Sequence, residues 1–148
     1  MVEKKFHTGT MKKSIIVNVS QQKAWSKVSQ IANLTWVVDV KNTKYLSKAK
    51  SGNGSIRKIC FSNGDVVEEH IVGWKKEEYF SYIAVSGLPL RAYHATISLK
   101  SKGKNSTQIT WQSYFNSQKM TKKEFSEFVD FIGSFYANSL KNLKKELE

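Results

Sequence analysis

The side chains that could carry out acid–base, nucleophilic or metal chemistry are few in this chain and widely spaced. Glu68 and Glu69 are adjacent in a stretch that reads as a strand, so their side chains point to opposite faces and cannot flank one bond as a catalytic pair. His70 and His94 fall opposite the apolar faces of strands that are not expected to be neighbours, and Cys60 has no evident base beside it. The sequence contains no HxxxH or CxxC spacing, no nucleotide-binding glycine motif and no GxSxG motif. It therefore predicts no metal site, no cofactor and no catalytic residue that a motif would identify.

Apolar and aromatic side chains at alternate positions are the more informative pattern. In the strand-like stretches that begin at Tyr79 and Ala92, every second residue is apolar, and alternate residues of a strand share one face. Each of these faces carries a tyrosine, whose hydroxyl could orient a bound molecule. The residues predicted to point inward are Phe80, Tyr82 and Ala84 on the first stretch, and Tyr93, Ala95, Ile97 and Leu99 on the second.

The elements that would position these side chains follow from the rest of the pattern. MKKSIIVNV alternates and is β-branched, which predicts a first strand. A helix capped by Ser20 follows, and TWVVDV continues it as a second short helix or a turn. Six more strand-like stretches are separated by turn residues such as SGN, SNG and KGKN. This order predicts an antiparallel sheet of seven strands, with two short helices after the first strand.

Residues 121–147 are predicted to form one long helix. Thr121 and Glu124 make a capping box at its start, and its apolar residues trace one continuous stripe. Gly133 lies within the stripe, which implies that another part of the chain packs close to it or that the helix flexes there. A curved sheet wrapped around this helix is the α+β arrangement that buries both apolar surfaces, and it leaves an internal cavity. The stripe residues predicted to line that cavity are Phe128, Ile132 and Phe135.

Length and cysteine content limit the possible classes of protein. A chain of 148 residues fits one domain, which we place at residues 11–148, with residues 1–10 as a flexible tail. The single cysteine excludes an intramolecular disulfide and favours a reducing, cytoplasmic location. No apolar run approaches the roughly 20 residues that span a bilayer, and the first ten residues lack the apolar region of a secretory signal. We therefore expect no integral membrane association.

The net charge of +12 bears on the possible partners. Residues 79–123 contain no Asp or Glu, so they attract anions of many kinds. The lysines form no helical stripe and do not alternate with stacking aromatics, so the sequence predicts no specific nucleic-acid partner. Weak contact with anionic surfaces is consistent with the charge. We expect a monomer or a weak dimer.

In their order, these stretches resemble the START and birch-pollen-allergen superfamily, which has the helix-grip fold and is also called SRPBCC. The nearest branches are the polyketide cyclase/dehydrase-like and abscisic-acid-receptor-like proteins. The resemblance implies the fold described above, with a cavity for a hydrophobic molecule. It does not choose a function, because the superfamily includes binding proteins, lipid carriers and enzymes. It spans residues 12–147 and rests on VNVSQQKAWSKVSQIANLTWV, GNGSIRKICF, VVEEHIVGW, YFSYIAVSGLPLRAY, TQITWQSYF and FIGSFYANSLKNLKKEL.

The resemblance also implies which residues face the cavity on the less regular strands. It favours Glu69 as an inward acid, with Ile71 on the same face, whereas the alternative is a Glu69 that is exposed or paired with a lysine. Gln112 takes the position of a pocket carboxylate in the receptor branch. Trp111 matches a tryptophan that is frequent in the cyclase-like branch, so either of these two neighbours could point inward. Arg57 resembles the arginine of a common family motif, and we interpret it as structural.

The turn SGLPL contains the only proline of the chain and two leucines, although solvent-facing turns are normally polar. In the resembled fold this turn lies at the open rim of the cavity, so Leu88, Pro89 and Leu90 could form a lid. The alternative is a turn whose leucines only pack on their neighbours. A similar gate in the abscisic-acid receptors lies one hairpin earlier, where this chain has SNGD, so we infer no hormone-receptor gate. Trp36 is a candidate to cover the far end of the cavity.

These observations favour binding or transport of a small or medium hydrophobic molecule, such as a lipid, an aromatic or a polyketide-like compound. The alternatives are an enzyme of the polyketide cyclase/dehydrase type that uses the same cavity, and a chaperone-like or protein-interaction module. The residues predicted to line the cavity are Glu69, Ile71, Phe80, Tyr82, Tyr93, Ala95, Ile97, Gln112, Phe128, Ile132 and Phe135.

Overall fold

One antiparallel sheet of seven strands forms the framework of the protein, in a computed structural model that describes residues 6–148. The strands are β1 (His7–Val17), β2 (Val40–Tyr45), β3 (Ile56–Phe61), β4 (Val66–Lys75), β5 (Tyr79–Ser86), β6 (Ala92–Gly103) and β7 (Ser106–Ser117). Their order across the sheet is β1-β7-β6-β5-β4-β3-β2. Strands β2 to β7 therefore form a meander, and β1 pairs with the last strand. Register shifts interrupt the pairing of β4 with β5 at two places.

Two helices complete the fold, α1 (Gln21–Val28) and α2 (Lys122–Leu147). The hydroxyl of Ser20 caps α1 by accepting a hydrogen bond of 3.1 Å from the backbone N–H of Lys23. At the start of α2, Thr121 and Glu124 exchange side chain–backbone hydrogen bonds of 2.8 and 3.1 Å. The capping box predicted from the sequence is therefore present, and it sets the first residue of the long helix.

The apolar stripe of α2 packs against the inner face of the sheet. The ring of Tyr136 stacks on Trp111 of β7, with 4.0 Å between the ring centroids. Gly133 is buried in this contact region, and a Cβ atom there would lie 3.2 Å from the terminal methyl of Met11 on β1. The glycine thus leaves room for a side chain of the edge strand, which explains its presence in the stripe.

The predicted α+β helix-grip architecture is confirmed, but two of its details are wrong. Residues 7–10 belong to β1 and pair with residues 114–117 of β7, so they are not part of a flexible tail. This pairing is made by backbone hydrogen bonds, which any side chain allows. The side chains of HTGT do not alternate in polarity, so they give no sequence signal of a strand. The rest of the predicted tail, residues 1–5, lies outside the described residues.

The second short helix is also absent from the described structure, because residues 29–39 form a series of turns. The N–H of Val37 donates to the carbonyl of Leu34 at 3.1 Å, as in a single turn, and Asp39 has a φ of 60°. A left-handed residue of this kind ends a helical path. The apolar residues of the segment are instead buried against the sheet and α2, so α1 is the only short helix among residues 6–148.

Candidate functional site

A cavity of about 430 Å³ lies between the inner face of the sheet and α2. Strands β3 to β7 and the middle of α2 provide most of its wall, and residues 34–39 close one side. Alternate residues of each strand face inward, which is why the lining residues of β3, β4 and β5 are two positions apart. The volume is in the range that small-molecule sites occupy in proteins.

Aromatic rings make up much of the apolar wall. Trp111 lies 5.7 Å from Trp36 in an edge-to-face arrangement and 5.8 Å from Phe135 of α2, measured between ring centroids. Phe135 in turn contacts Phe61 of β3 at 6.2 Å and Phe131 of α2 at 6.0 Å. These contacts join the sheet, the turn segment and the helix around the cavity, so its shape is held by rigid side chains.

A buried ion pair lies in this apolar wall. The carboxylate oxygen Oε1 of Glu69 on β4 accepts a hydrogen bond of 2.9 Å from Nε of Arg57 on β3, and Nη2 of the same guanidinium lies 2.8 Å from Oε1 as an ion-pair contact. Arg57 Nη1 also donates to the carbonyl of Ile31 at 2.8 Å. Residues 57 and 69 are directly opposite each other in the β3–β4 pairing, which brings the two side chains to the same face.

Burial determines the electrostatics of this pair, because Arg57 is 3% and Glu69 is 6% exposed. Loss of solvation raises the pKa of Glu69, and the charge and hydrogen bonds of Arg57 oppose that rise. The guanidinium also lies 4.8 Å from the ring centroid of Tyr82. The ion pair is therefore continuous with the aromatic wall through a cation–π contact.

Three tyrosines and one tryptophan form a hydrogen-bonded chain beside the ion pair. The indole N–H of Trp111 donates to the hydroxyl of Tyr82 at 3.1 Å, and the hydroxyls of Tyr82 and Tyr93 are 3.5 Å apart. The hydroxyl of Tyr93 is hydrogen-bonded to that of Tyr136 on α2. Burial raises the pKa of all three tyrosines well above 10, so the hydroxyls stay protonated at neutral pH and can donate hydrogen bonds.

The cavity opens to solvent beside the β3–β4 turn. Asp39, Asp65 and Phe131 are exposed residues of its lining, and Phe131 is 59% exposed. The backbone N–H of Ser62 donates to the carbonyl of Asp39 at 2.8 Å, which joins the turn to the segment before β2. Leu88, from the β5–β6 turn, is half-buried and lines the same cavity. We refer to these residues as the mouth.

Most of the predicted lining residues reach the cavity. Glu69 is buried and paired with an arginine, which combines parts of the two alternatives left open by the sequence. Trp111 points inward, so Gln112 next to it lies exposed on the opposite face and is not a lining residue. The predicted residues that do line the cavity are Glu69, Phe80, Tyr82, Tyr93, Ile97, Phe128, Ile132 and Phe135. Their role in binding stays a prediction.

Two further predicted lining residues, Ile71 and Ala95, are buried in the core but do not reach the cavity. Ile71 pairs with Tyr82 between the two register shifts of β4 and β5, and Ala95 carries only a methyl group opposite the same tyrosine. The predicted lid is also divided. Pro89 is exposed, and Leu90 lines a separate small recess with Arg91, so Leu88 is the lid residue that reaches the cavity.

Sequence reasoning missed part of the site. We interpreted Arg57 as structural, whereas it lines the cavity with Ile59 and Phe61 of the same strand. The alternation of β3 could have indicated this, because the three residues share one face. Asp39 and Asp65 carried no signal, since they lie in turns. Among residues 6–148 no group of three or more His, Cys, Asp and Glu side chains could hold a metal ion, and no helix there is long and apolar enough to cross a membrane.

Comparisons with known proteins agree with the fold. A family model described as polyketide cyclase/dehydrase and lipid transport matches residues 8–148. A putative uncharacterized protein from Bacillus thuringiensis has a similar structure, with a TM-score of 0.79 at 18% identity over 94% of this chain and 98% of its own. A structure from Thermobifida fusca gives 0.80 at 17% identity, over 93% and 92%. The protein XoxI from Bacillus cereus gives 0.75 at 19% identity, over 97% and 95%. No curated protein matches the sequence significantly.

Proposed function

The chain belongs to the polyketide cyclase/dehydrase and lipid transport family, and on that premise we propose that it binds a small or medium hydrophobic molecule in the cavity between the sheet and α2. The cavity itself is the observation that supports this function best. It is largely apolar, it has one cluster of polar groups in its wall, and it opens to solvent at one side. Sites for small organic ligands combine the same three properties.

Burial of apolar surface would supply most of the binding energy. A ligand that buries roughly 200 Å² of apolar surface gains about 5 kcal/mol at about 25 cal/mol per Å², before the cost of lost translational freedom. The hydroxyls of Tyr82 and Tyr93 would then orient the molecule, because they are buried donors on the cavity side of the sheet. Leu88 at the mouth would cover the ligand and slow its release.

An enzymatic role on a polyketide-like or aromatic substrate is a second candidate, and Glu69 favours it. Burial raises the pKa of this carboxyl towards the range in which a general acid or base works near neutral pH. Arg57 contacts only Oε1, so Oε2 of Glu69 is not engaged by the guanidinium. A substrate proton could be exchanged there. A Glu69→Gln variant that keeps binding but loses turnover would support this role.

We also propose a cytoplasmic location and a monomeric or weakly dimeric state. The free thiol of Cys60 is half-buried and fits a reducing, cytoplasmic location. The exposed apolar residues are spread over several strands and one helix, in keeping with a monomer or a weak dimer.

Titration with a neutral fluorescent probe, N-phenyl-1-naphthylamine, tests the binding function. We expect wild type to take up about one equivalent, with a blue-shifted emission that reports the apolar cavity. Ile132→Trp should weaken uptake at least about tenfold, since Ile132 lines the cavity and the larger ring would occupy it.

Ile16→Trp is the matched control, because Ile16 is 44% exposed on β1 and does not line the cavity. It should bind the probe as wild type does. Circular dichroism checks that both variants are folded. Absence of uptake by the wild type, or full uptake by a folded Ile132→Trp variant, would contradict the proposed function.

A further inference from the structure

The charge of the cavity differs in sign from the charge of the protein. The chain carries a net charge of +12, with 24 basic residues. Of the lining residues in the described part of the chain, Arg57 is the only basic one, whereas Asp39, Asp65 and Glu69 are acidic. The lining therefore has a net charge of −2 when these groups are ionised, although the surface around it attracts anions.

Arg57 is already neutralised inside the cavity. Nε and Nη2 of Arg57 contact the carboxylate of Glu69, and Nη1 donates a hydrogen bond to the carbonyl of Ile31. A ligand carboxylate placed there would meet the carboxylate of Glu69 as well as the guanidinium. It would lose its hydration without gaining an unpaired counter-charge, which makes burial of an anion unfavourable.

The same wall offers a hydrogen bond to an uncharged oxygen. An indole N–H can only donate, so Trp111 fixes the hydroxyl of Tyr82 as its acceptor at 3.1 Å. The proton of Tyr82 is then directed either to Tyr93, whose hydroxyl is 3.5 Å away, or to a molecule in the cavity. Because 3.5 Å is long for a bond between hydroxyls, an acceptor on a ligand can compete for that proton.

An anionic ligand in the opposite orientation, with its carboxylate at the mouth, would also meet like charge. With its apolar part inside, its charged end would lie at the mouth, where Asp39 and Asp65 are exposed. Solvent screens like charges there, so the repulsion is weaker than inside the cavity. Both ends of the cavity thus disfavour a carboxylate, and the inner end more strongly.

We propose that the ligand is an uncharged amphiphile whose neutral oxygen, a hydroxyl or carbonyl, binds the hydroxyl of Tyr82, and that the cavity excludes carboxylates. This inference rests on the proposed function and names the class of molecule that the same site takes. It separates alcohols and ketones from fatty and aromatic acids of equal size.

Displacement of N-phenyl-1-naphthylamine at pH 7.5 by two matched pairs tests the inference. The pairs are 2-naphthol with 2-naphthoate, and 1-decanol with decanoate, so that ring and chain shapes are both represented. We expect each alcohol to compete at least about 30-fold better than its acid, a difference of roughly 2 kcal/mol. Acids that bind as well as the alcohols would overturn the inference and leave the binding function intact. Failure of all four compounds and of the probe would overturn both.

Two charge variants locate the cause of the selectivity. In Glu69→Gln the guanidinium of Arg57 lacks its partner, so 2-naphthoate should gain at least about tenfold in affinity and raise the melting temperature more than it does for wild type. The affinity of 2-naphthol, and the rise in melting temperature that it produces, should be unchanged. If this variant does not fold, the double variant Asp39→Asn, Asp65→Asn still tests the mouth, where a gain of a few fold for decanoate is expected.

The control is the double variant Glu77→Gln, Glu78→Gln, which changes the net charge by the same amount as Asp39→Asn, Asp65→Asn. These residues lie on the β4–β5 turn, at the other end of the strands from the mouth. Their replacement should leave every affinity unchanged. A gain of acid binding in this control equal to that in the mouth variant would show that overall charge, not the cavity, sets the selectivity, and would overturn the inference.

Discussion

Removal of either member of the Arg57–Glu69 pair should destabilise the protein more than removal of both. The pair is held by one charge-assisted hydrogen bond of 2.9 Å and a second ion-pair contact of 2.8 Å, and neither side chain is more than 8% exposed. In Glu69→Gln the guanidinium stays buried without a counter-charge, and in Arg57→Met the carboxylate does. Breaking a buried pair in this way costs about 3–5 kcal/mol.

The two single costs should not add. In the double variant Arg57→Met, Glu69→Gln no charge remains in the wall, and the residual cost is the contact of Arg57 with the carbonyl of Ile31 and the ring of Tyr82. These contribute about 1 kcal/mol each. We therefore expect the double variant to lose about 2 kcal/mol, and the coupling energy to be at least about 4 kcal/mol.

Urea denaturation at pH 7, followed by circular dichroism and by tryptophan fluorescence, measures the free energy of unfolding of wild type, the two single variants and the double variant. Coincident transitions would justify a two-state analysis, and equal slopes would show that the midpoints report stability. Additive costs, with a double variant as unstable as the sum of the single ones, would refute the assignment of Arg57 and Glu69 as a desolvated pair.

Three further predictions concern the mouth, the backbone and the pH dependence. Leu88→Ser should speed dissociation of N-phenyl-1-naphthylamine in stopped-flow measurements, whereas Leu90→Ser, outside the cavity, should lower the melting temperature without changing that rate. Gly87→Ala should cost at least about 3 kcal/mol in urea, because φ is 99° and the new Cβ would overlap a β4 carbonyl; Gly64→Ala, with φ of 96° and open space, should cost about 1 kcal/mol. Burial raises the pKa of Glu69 above 4.5, so protonation of this carboxyl favours the folded state. The resulting contribution to the free energy of unfolding is complete below pH 4.5 and is lost as the pH rises through the pKa of the folded protein. Urea denaturation of the Glu69→Gln variant across this range should lack that pH-dependent contribution.

The sheet and the long helix could be predicted because their signals are local. Alternation identifies β5 and β6 in the sequence, and the capping box of Thr121 and Glu124 marks the start of α2. Edge pairing carries no such signal. Residues 7–10 join β1 through backbone hydrogen bonds to β7, and the side chains of HTGT do not alternate in polarity. The structure of this segment therefore depends on a partner strand more than 100 residues away.

The polar part of the site could be predicted only in fragments. Both faces of β4 carry an acid, so the sequence cannot choose between Glu68 and Glu69, whereas the register of β3 against β4 places Arg57 opposite Glu69. Trp111 and Gln112 presented the same ambiguity on β7, and packing against Tyr136 decides it in favour of the tryptophan. In each case a contact between distant segments determines the orientation, and no local pattern contains that information.

Native mass spectrometry of the freshly purified protein tests the central claim most directly. Our account predicts an additional mass of one small molecule on wild type and on Ile16→Trp, and its absence from a folded Ile132→Trp variant, because Ile132 lines the cavity and Ile16 does not. The released molecule should extract into an organic solvent. A wild-type protein that carries no additional mass and takes up no N-phenyl-1-naphthylamine, or a bound molecule that persists in Ile132→Trp, would contradict the assignment of the cavity as a ligand-binding site.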